Sequence, residues 1–378
     1  LTYALWSGFW IGMGTLPKGP VAPLMILSSY AIYGVLVRKL KLPWLAIASF
    51  AASWSLVVGI WFGVETWIHG PWFIERFVQY QIELFTQPVA GHEQPFYYHF
   101  VVYFLGCFPM ALFTIRGMQW GKELNAFWVA RRMFLIWFWV VMIVFSVSKT
   151  KIVHYSSLAY FPGVFLSAAC LQQWMQEKRK ATAEMWTLFS LSVLVFGLAV
   201  SALPFVAQNK TLLFPYLKDE FAKACFSLDT VQWSGIEYLP GILFLISAAV
   251  GFYWIRRQQY ERFVLQQAAV TGMYLLLLHG LIVPKIAEYT QGPAIEFFRS
   301  KAIEDCYFLP VGYKTYSHYF YGAIRSQTDL GDVLMHKPQT KPVYLVCKVN
   351  DRHELENRFQ NVIRLYDRGG FAFYQKKE

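Results

Sequence analysis

Long apolar stretches recur along this chain, each about as long as a membrane is thick, and every second polar loop between them holds a cluster of arginine and lysine. Eight such stretches cover residues 20–37, 44–64, 96–116, 131–147, 152–171, 186–207, 236–255 and 264–284. Each is near the roughly 20 residues that a helix needs to cross hydrocarbon. A shorter apolar piece, 3–14, precedes them. It starts at Leu1 with neither an initiator Met nor a charged n-region, so it reads as the remnant of a span in a chain truncated at its N-terminus, not as a signal peptide. Only 15% of the 378 residues are charged and 56% are hydrophobic, which is too little charge for a soluble protein of this size. The net charge of +11 sits between apolar spans and not along one amphipathic surface. It is therefore a topology signal, and no nucleic-acid partner is expected.

Orientation follows from the basic loops, because lysine and arginine near span ends stay on the cytoplasmic side. Arg38, Lys39 and Lys41 mark one loop, Arg116 to Arg132 with Lys122 and Arg131 the next, then Lys178 to Lys180, then Arg256, Arg257 and Arg262. Strict alternation puts all four on one face. The opposite face receives the turn at Lys18, the stretch 65–95, the turn at Lys149 to Lys151, the stretch 209–235 and everything after about Pro284. Gly70-Pro71-Trp72 opens an aromatic-rich connector containing Glu75, Arg76, Glu83, His92 and Glu93, whose pattern predicts an amphipathic helix lying along the interface.

The expected fold class is mostly α: a polytopic transmembrane helical bundle over 1–284, with the interfacial connector at 65–95, then a small extracytoplasmic α/β domain over 285–378. In that tail, Asp305 to Pro310, Val343 to Val349 and Gly370 to Tyr374 read as strands. Asp351 to Tyr366 reads as a helix opened by a capping box of Asp351 and Glu354. Cys107 and Cys170 lie within spans, while Cys225, Cys306 and Cys347 face the oxidising side, where one disulfide is open to them.

Three local patterns carry polar chemistry beside the spans. Leu16-Pro17-Lys18-Gly19-Pro20-Val21 breaks a helix at the mouth of two spans, freeing backbone groups that only protein or a wet cavity satisfies; a snorkelling turn is the plainer alternative. Gly91-His92-Glu93-Gln94-Pro95-Phe96-Tyr97-Tyr98-His99 offers two histidines, a carboxylate and paired tyrosines to a metal or a phosphate, although this histidine spacing is no recognised ligand pair. Ser146-Val147-Ser148-Lys149-Thr150-Lys151-Ile152-Val153-His154-Tyr155 sets two lysines in a turn on the non-cytoplasmic side. That runs against the positive-inside tendency, and charges so placed pair with something anionic. A lipid-linked phosphate meets that demand.

The Lys-Gly-Pro turn, the connector ending in His-x-x-Pro-Phe-Tyr-Tyr, Pro109 in the following span and Ser-x-Ser-Lys-x-Lys-x-x-x-Tyr resemble, in that order, the membrane glycosyltransferases of the GT-C superfamily. Within it the chain is most similar to the protein O-mannosyltransferase-like group that includes the bacterial lipid A aminoarabinose transferases. Motifs carry the resemblance over residues 1–171, and architecture alone carries it beyond. It implies a hexosyl- or pentosyltransferase of the bacterial inner membrane. The donor would be a sugar on a polyprenyl phosphate, and the acceptor lipid A, another glycolipid, a glycan or a protein. It also implies that Lys18, Lys149, Lys151 and Tyr155 bind the carrier phosphate or its sugar. His92 matches a connector histidine tied to phosphate or to a divalent metal. The family's catalytic base is an acidic residue in a first external loop that this chain lacks, so the catalytic residue is unassigned and the isolated chain is expected to be inactive. A transporter or flippase for an anionic lipid and a non-catalytic envelope component are the rival readings. The first would show two related halves, and no internal repeat is visible.

Overall fold

The computed structural model describes residues 1–37, 43–87, 93–119, 126–323 and 341–377. Contacts gather into two units, Leu1–Ser190 with Gly251–Ala268, and Leu191–Val250 with Ala269–Glu378. Among the described residues five helices are long and apolar enough to cross a membrane: Trp44–His69, Ala126–Val147, Ala183–Gln208, Ile236–Arg256 and Tyr260–Lys301. The protein is a multi-pass membrane protein of mostly helical fold.

In the first unit the chain forms α1 (Thr2–Lys18), α2 (Val21–Val37), α3 (Trp44–His69), α4 (Trp72–Thr86), α5 (Tyr98–Gly106), α6 (Ala111–Gly117), α7 (Ala126–Val147) and α8 (Tyr160–Glu177). Apolar side chains alone do not hold helices together in lipid, so close backbone approach and internal polar contacts carry the packing. Gly8 and Gly12, one turn apart on α1, let α3 approach closely; a Cβ on Gly12 would stand 2.8 Å from that of Val57. The Trp54 indole N–H donates to Thr15 Oγ1 at 3.1 Å across the same seam. A buried chain from the Tyr103 hydroxyl to Thr114 Oγ1 (2.7 Å), on to Ser167 Oγ (2.7 Å) and from there to the Gly163 carbonyl (2.9 Å) ties α5, α6 and α8. Around it pack Met25, Phe138, Val141, Met142 and Phe145.

The basic loops gather at one end of this unit. Arg131 donates twice to the Gly117 carbonyl that closes α6, at 3.1 and 2.8 Å. Arg116 pairs with Glu184 at 2.5 Å, and the Tyr260 hydroxyl donates to the Arg179 carbonyl at 2.7 Å. Arg38, Lys39, Lys41 and Lys122 lie outside the described residues.

Four of the expected spans differ. The stretch 20–37 forms α2, which at 17 residues is shorter than the five long apolar helices. The stretch 96–116 is broken, with α5 and α6 meeting at 115°, because Pro109 cannot continue the helical ladder. The stretch 152–171 opens with a 3-10 segment, Val153–Ala159, before α8, and α8 is not among the five long apolar helices. The last span does not stop near 284; its helix runs 42 residues to Lys301, so the tail begins as helix.

In the second unit four strands form one sheet in the order β1 (Tyr307–Val311), β2 (Val343–Lys348), β4 (Phe371–Lys376), β3 (Val362–Arg368). β1 runs parallel to β2 and the other pairs are antiparallel. Period-two alternation sends Val343, Leu345, Cys347 and Tyr374 to one face with Leu355 and Phe359. Tyr344, Val346, Phe371 and Phe373 go to the other, against Phe297 and Phe298. The expected helix 351–366 is corrected: helix covers only Arg352–Arg358, and Asp351 makes no side-chain cap. Residues 362–368 pair with β4 instead, as an edge strand with most of its side chains exposed. All five cysteines are buried free thiols, so the disulfide considered above does not form. Glu237, 1% exposed, receives the backbone N–H groups of Ser234 (3.0 Å) and Gly235 (2.9 Å) and pairs with Lys285 at 2.7 Å.

Candidate functional site

α1 stops at Lys18 because Pro20 cannot extend it and Gly19 turns to φ 63°, a conformation that suits glycine. A side chain at Gly19 would also strike α4, its Cβ standing 2.5 Å from the Phe77 ring. The amphipathic helix expected in the connector is α4, whose Phe73 and Phe77 pack on Phe62 of α3 at 6.3 and 5.6 Å.

The C-terminal carbonyls of a helix need donors, and the Ser148–Thr150 turn supplies them to α4. The Lys149 N–H donates to the Phe85 carbonyl (3.0 Å) and the Thr150 N–H to that of Leu84 (3.2 Å). Ser148 Oγ also donates to Leu84 (3.2 Å) and Thr150 Oγ1 to Gln87 (2.6 Å). Much of the polar content of this motif therefore serves to fasten α4.

Between α1, α2, α4, α7 and the 3-10 segment lies a cavity of about 560 Å³, within the range of small-molecule sites. Its lining divides by chemistry. Lys18, Ser148, His154, Tyr155 and Ser157 are polar groups from the two turns, and Tyr80, Gln81 and Thr86 are polar groups from α4, while Val21, Leu24, Met25, Phe77, Ile82, Phe85, Val144 and Leu158 are apolar. Lys18 Nζ lies 6.0 Å from the Tyr155 ring centroid, and the His154 ring meets the same ring edge-on at 4.9 Å. His154, outside the candidate spans, has its pKa lowered by burial and then by the Lys18 charge.

The expected site residues separate. Lys18 and Tyr155 share the cavity. Lys151 is 6% exposed and its ammonium donates to the Ser148 carbonyl at 2.7 Å, so it supports the turn beneath the lining. Lys149 has an exposed side chain and is not part of the lining. His92 lies outside the described residues. His99 is fully buried against Phe145, behind the cavity wall, and neither ring nitrogen has a hydrogen-bond partner among the described residues. His154, Phe77 and Phe85 were not anticipated. The one available signal was the His-Tyr pair, which a 3-10 turn presents together.

Among the described residues no three His, Cys, Asp or Glu side chains come together. The cavity lining offers one imidazole beside an ammonium and no carboxylate. This donor set does not fit a divalent metal, which requires several anionic or neutral ligands, and no step below uses one.

No family model matches the chain. It is similar to the undecaprenyl phosphate-alpha-4-amino-4-deoxy-L-arabinose arabinosyl transferase of Wigglesworthia glossinidia brevipalpis, 24% identical over 229 residues, 59% of this chain and 37% of that protein. The protein of the same name from Aeromonas hydrophila subsp. hydrophila is 28% identical over 199 residues, 50% of this chain and 35% of that one. The chain spans little more than a third of the length of these curated relatives. Its fold is that of the crystal structure of ArnT from Cupriavidus metallidurans bound to undecaprenyl phosphate, with a TM-score of 0.63 at 16% identity, covering 99% of this chain and 69% of that one. The apo structure of the same protein gives a TM-score of 0.61. The curated relatives by sequence and the solved structures by fold bear out the resemblance to the bacterial aminoarabinose transferases that the motifs carried.

Proposed function

We propose that this chain is part of a glycosyltransferase of the bacterial inner membrane. It takes a sugar from a polyprenyl phosphate carrier and passes it to an envelope acceptor, which is lipid A, another glycolipid, a glycan or a protein, on the extracytoplasmic side. The membrane part comes first, and a small extracytoplasmic α/β domain, whose sheet begins at Tyr307, follows the helix that ends at Lys301. The observation that carries this reading is the cavity itself, where a cation-bearing cluster and a long apolar wall share one lining. An amphiphile with a single anionic head matches that lining. The apolar wall takes the prenyl chain, and Lys18 stabilises charge as it develops on the departing phosphate. Lysine acts there as a compact point charge. The relatives' names, which specify an undecaprenyl phosphate donor and arabinosyl transfer, support the same donor class.

Binding of a fluorescent polyprenyl monophosphate to the detergent-solubilised chain tests this reading. Lys18→Ala is expected to weaken binding by about 2 kcal/mol, the scale of a charge-assisted contact. Equal binding by parent and variant would remove the phosphate role.

A further inference from the structure

His154 shares the cavity lining with Lys18, and both groups flank the Tyr155 ring. The backbone beneath it is fixed: Ser157 Oγ donates to the His154 carbonyl at 2.7 Å, closing the 3-10 turn. The ring makes no hydrogen bond among the described residues, which leaves it available to a ligand. We infer that His154 is a second phosphate-contacting group and a specificity-determining residue, one that distinguishes the spent carrier from the loaded one. This rests on the reading that the cavity holds a polyprenyl phosphate.

The chemistry follows from the charge on the carrier. While the sugar is attached, the phosphate is a diester with one negative charge. On transfer the bond from the anomeric carbon to the phosphate oxygen breaks and its electron pair stays on that oxygen. The acceptor oxygen bonds to the anomeric carbon and releases its proton to bulk solvent. The carrier is then a monoester, whose second ionisation falls near pH 6 by analogy with phosphorylated side chains. With the cavity otherwise empty of anions, the Lys18 ammonium opposes a second positive charge on the imidazole, and the phosphate diester offsets that opposition by only one charge. The dianion offsets it by two, so the imidazole takes up a proton and gains a charge-assisted hydrogen bond to the spent carrier.

The titratable and charged neighbours are accounted for on each side. Lys18 comes from α1 and Tyr80 from α4, and both line the cavity with Tyr155. Lys149 and Lys151 belong to the turn before the 3-10 segment, the second of them occupied by the Ser148 carbonyl. His99 of α5 stands behind Phe145, and Tyr160 opens α8. No described carboxylate lines the cavity to hold the imidazolium in the absence of ligand.

The test compares a polyprenyl monophosphate with its methyl diester, each titrated into the detergent-solubilised chain between pH 6 and 8.5. The parent is expected to prefer the monoester by about tenfold near pH 6.5, with that preference shrinking towards pH 8.5. Calorimetry in two buffers of different ionisation enthalpy should register proton uptake with the monoester and none with the diester. His154→Gln should bind both ligands more weakly and lose the pH-dependent preference, with His154→Asn as a second variant should the first fail to fold. If the preference and the proton uptake persist in the variants, His154 does not set it, and the carrier site stands without it. If the parent binds neither ligand, the carrier reading fails, and this inference with it.

Discussion

Lys18, Lys149 and Lys151 carry the same ammonium beside the same membrane face, and packing gives them different work. The Pro-Lys-Gly-Pro pattern made the helix break at Lys18 legible, because two prolines and a glycine leave the chain few alternatives. The other two could not be told apart by residue type. Only the turn geometry aims Lys151 inward at the Ser148 carbonyl and leaves Lys149 outside the lining. Lys149→Ala is therefore expected to bind polyprenyl monophosphate within about fivefold of the parent, since an exposed charge contributes at most about 1 kcal/mol; a loss as large as that of Lys18→Ala would show that it reaches the phosphate. In the second unit, the Asn350 side chain (2.6 Å) and the Ala222 N–H (3.0 Å) hold the Asp219 carboxyl below its usual range. A depressed carboxyl stabilises the fold above its unfolded pKa of about 3.9, and that contribution disappears as the pH falls below it. Asp219→Asn should thus melt lower than the parent at pH 7, with the gap narrowing as the pH falls from about 3.9 through the lower folded-state value. A gap independent of pH would mean that the side chain acts through shape alone.

At the scale of elements, α4 was legible from its amphipathic period, but its fastening was not. Ser148 and Thr150 stood in the sequence only as polar members of the lysine turn, yet they spend their hydroxyls on the end of α4 through contacts more than 60 residues distant in the chain, which no local pattern encodes. Thr150→Val leaves the Gln87 carbonyl without that donor. It should cost about 1 kcal/mol and speed hydrogen exchange across residues 80–87, whereas unchanged exchange there would show that the turn does not hold the helix. β3 was misread as helix because its mostly exposed residues carry no period-two pattern, and only the pairing with β4 makes it a strand. The Glu237–Lys285 pair was not anticipated either, since 48 residues separate the partners. Glu237→Ala leaves the Lys285 ammonium with the Gln232 carbonyl but without its carboxylate, and should destabilise the protein by about 2 kcal/mol, measured by thermal melting in detergent; a melt like the parent's would mark the pair as energetically neutral.

For the molecule as a whole, hydropathy and loop charge made the membrane class legible, and among the described residues Arg116, Arg131 and Arg179 do gather at one end of the first unit. The limits of each span were less legible, because a helix can outrun its apolar stretch, as Tyr260–Lys301 does, or break within it, as at Pro109. Which polar residues share a cavity depended on turns that bring α1 and the segment after α7 together. The central claim is that this shared cavity holds a carrier phosphate by Lys18 and its prenyl chain by the apolar wall. Photocrosslinking with a diazirine-bearing polyprenyl monophosphate, mapped by peptide mass spectrometry in parent and Lys18→Ala, tests it most directly. The prediction is that adducts fall on residues 21–25, 77–85 and 144–158 and are largely lost in the variant. Adducts spread over other helix faces, and equally abundant without the Lys18 ammonium, would contradict it.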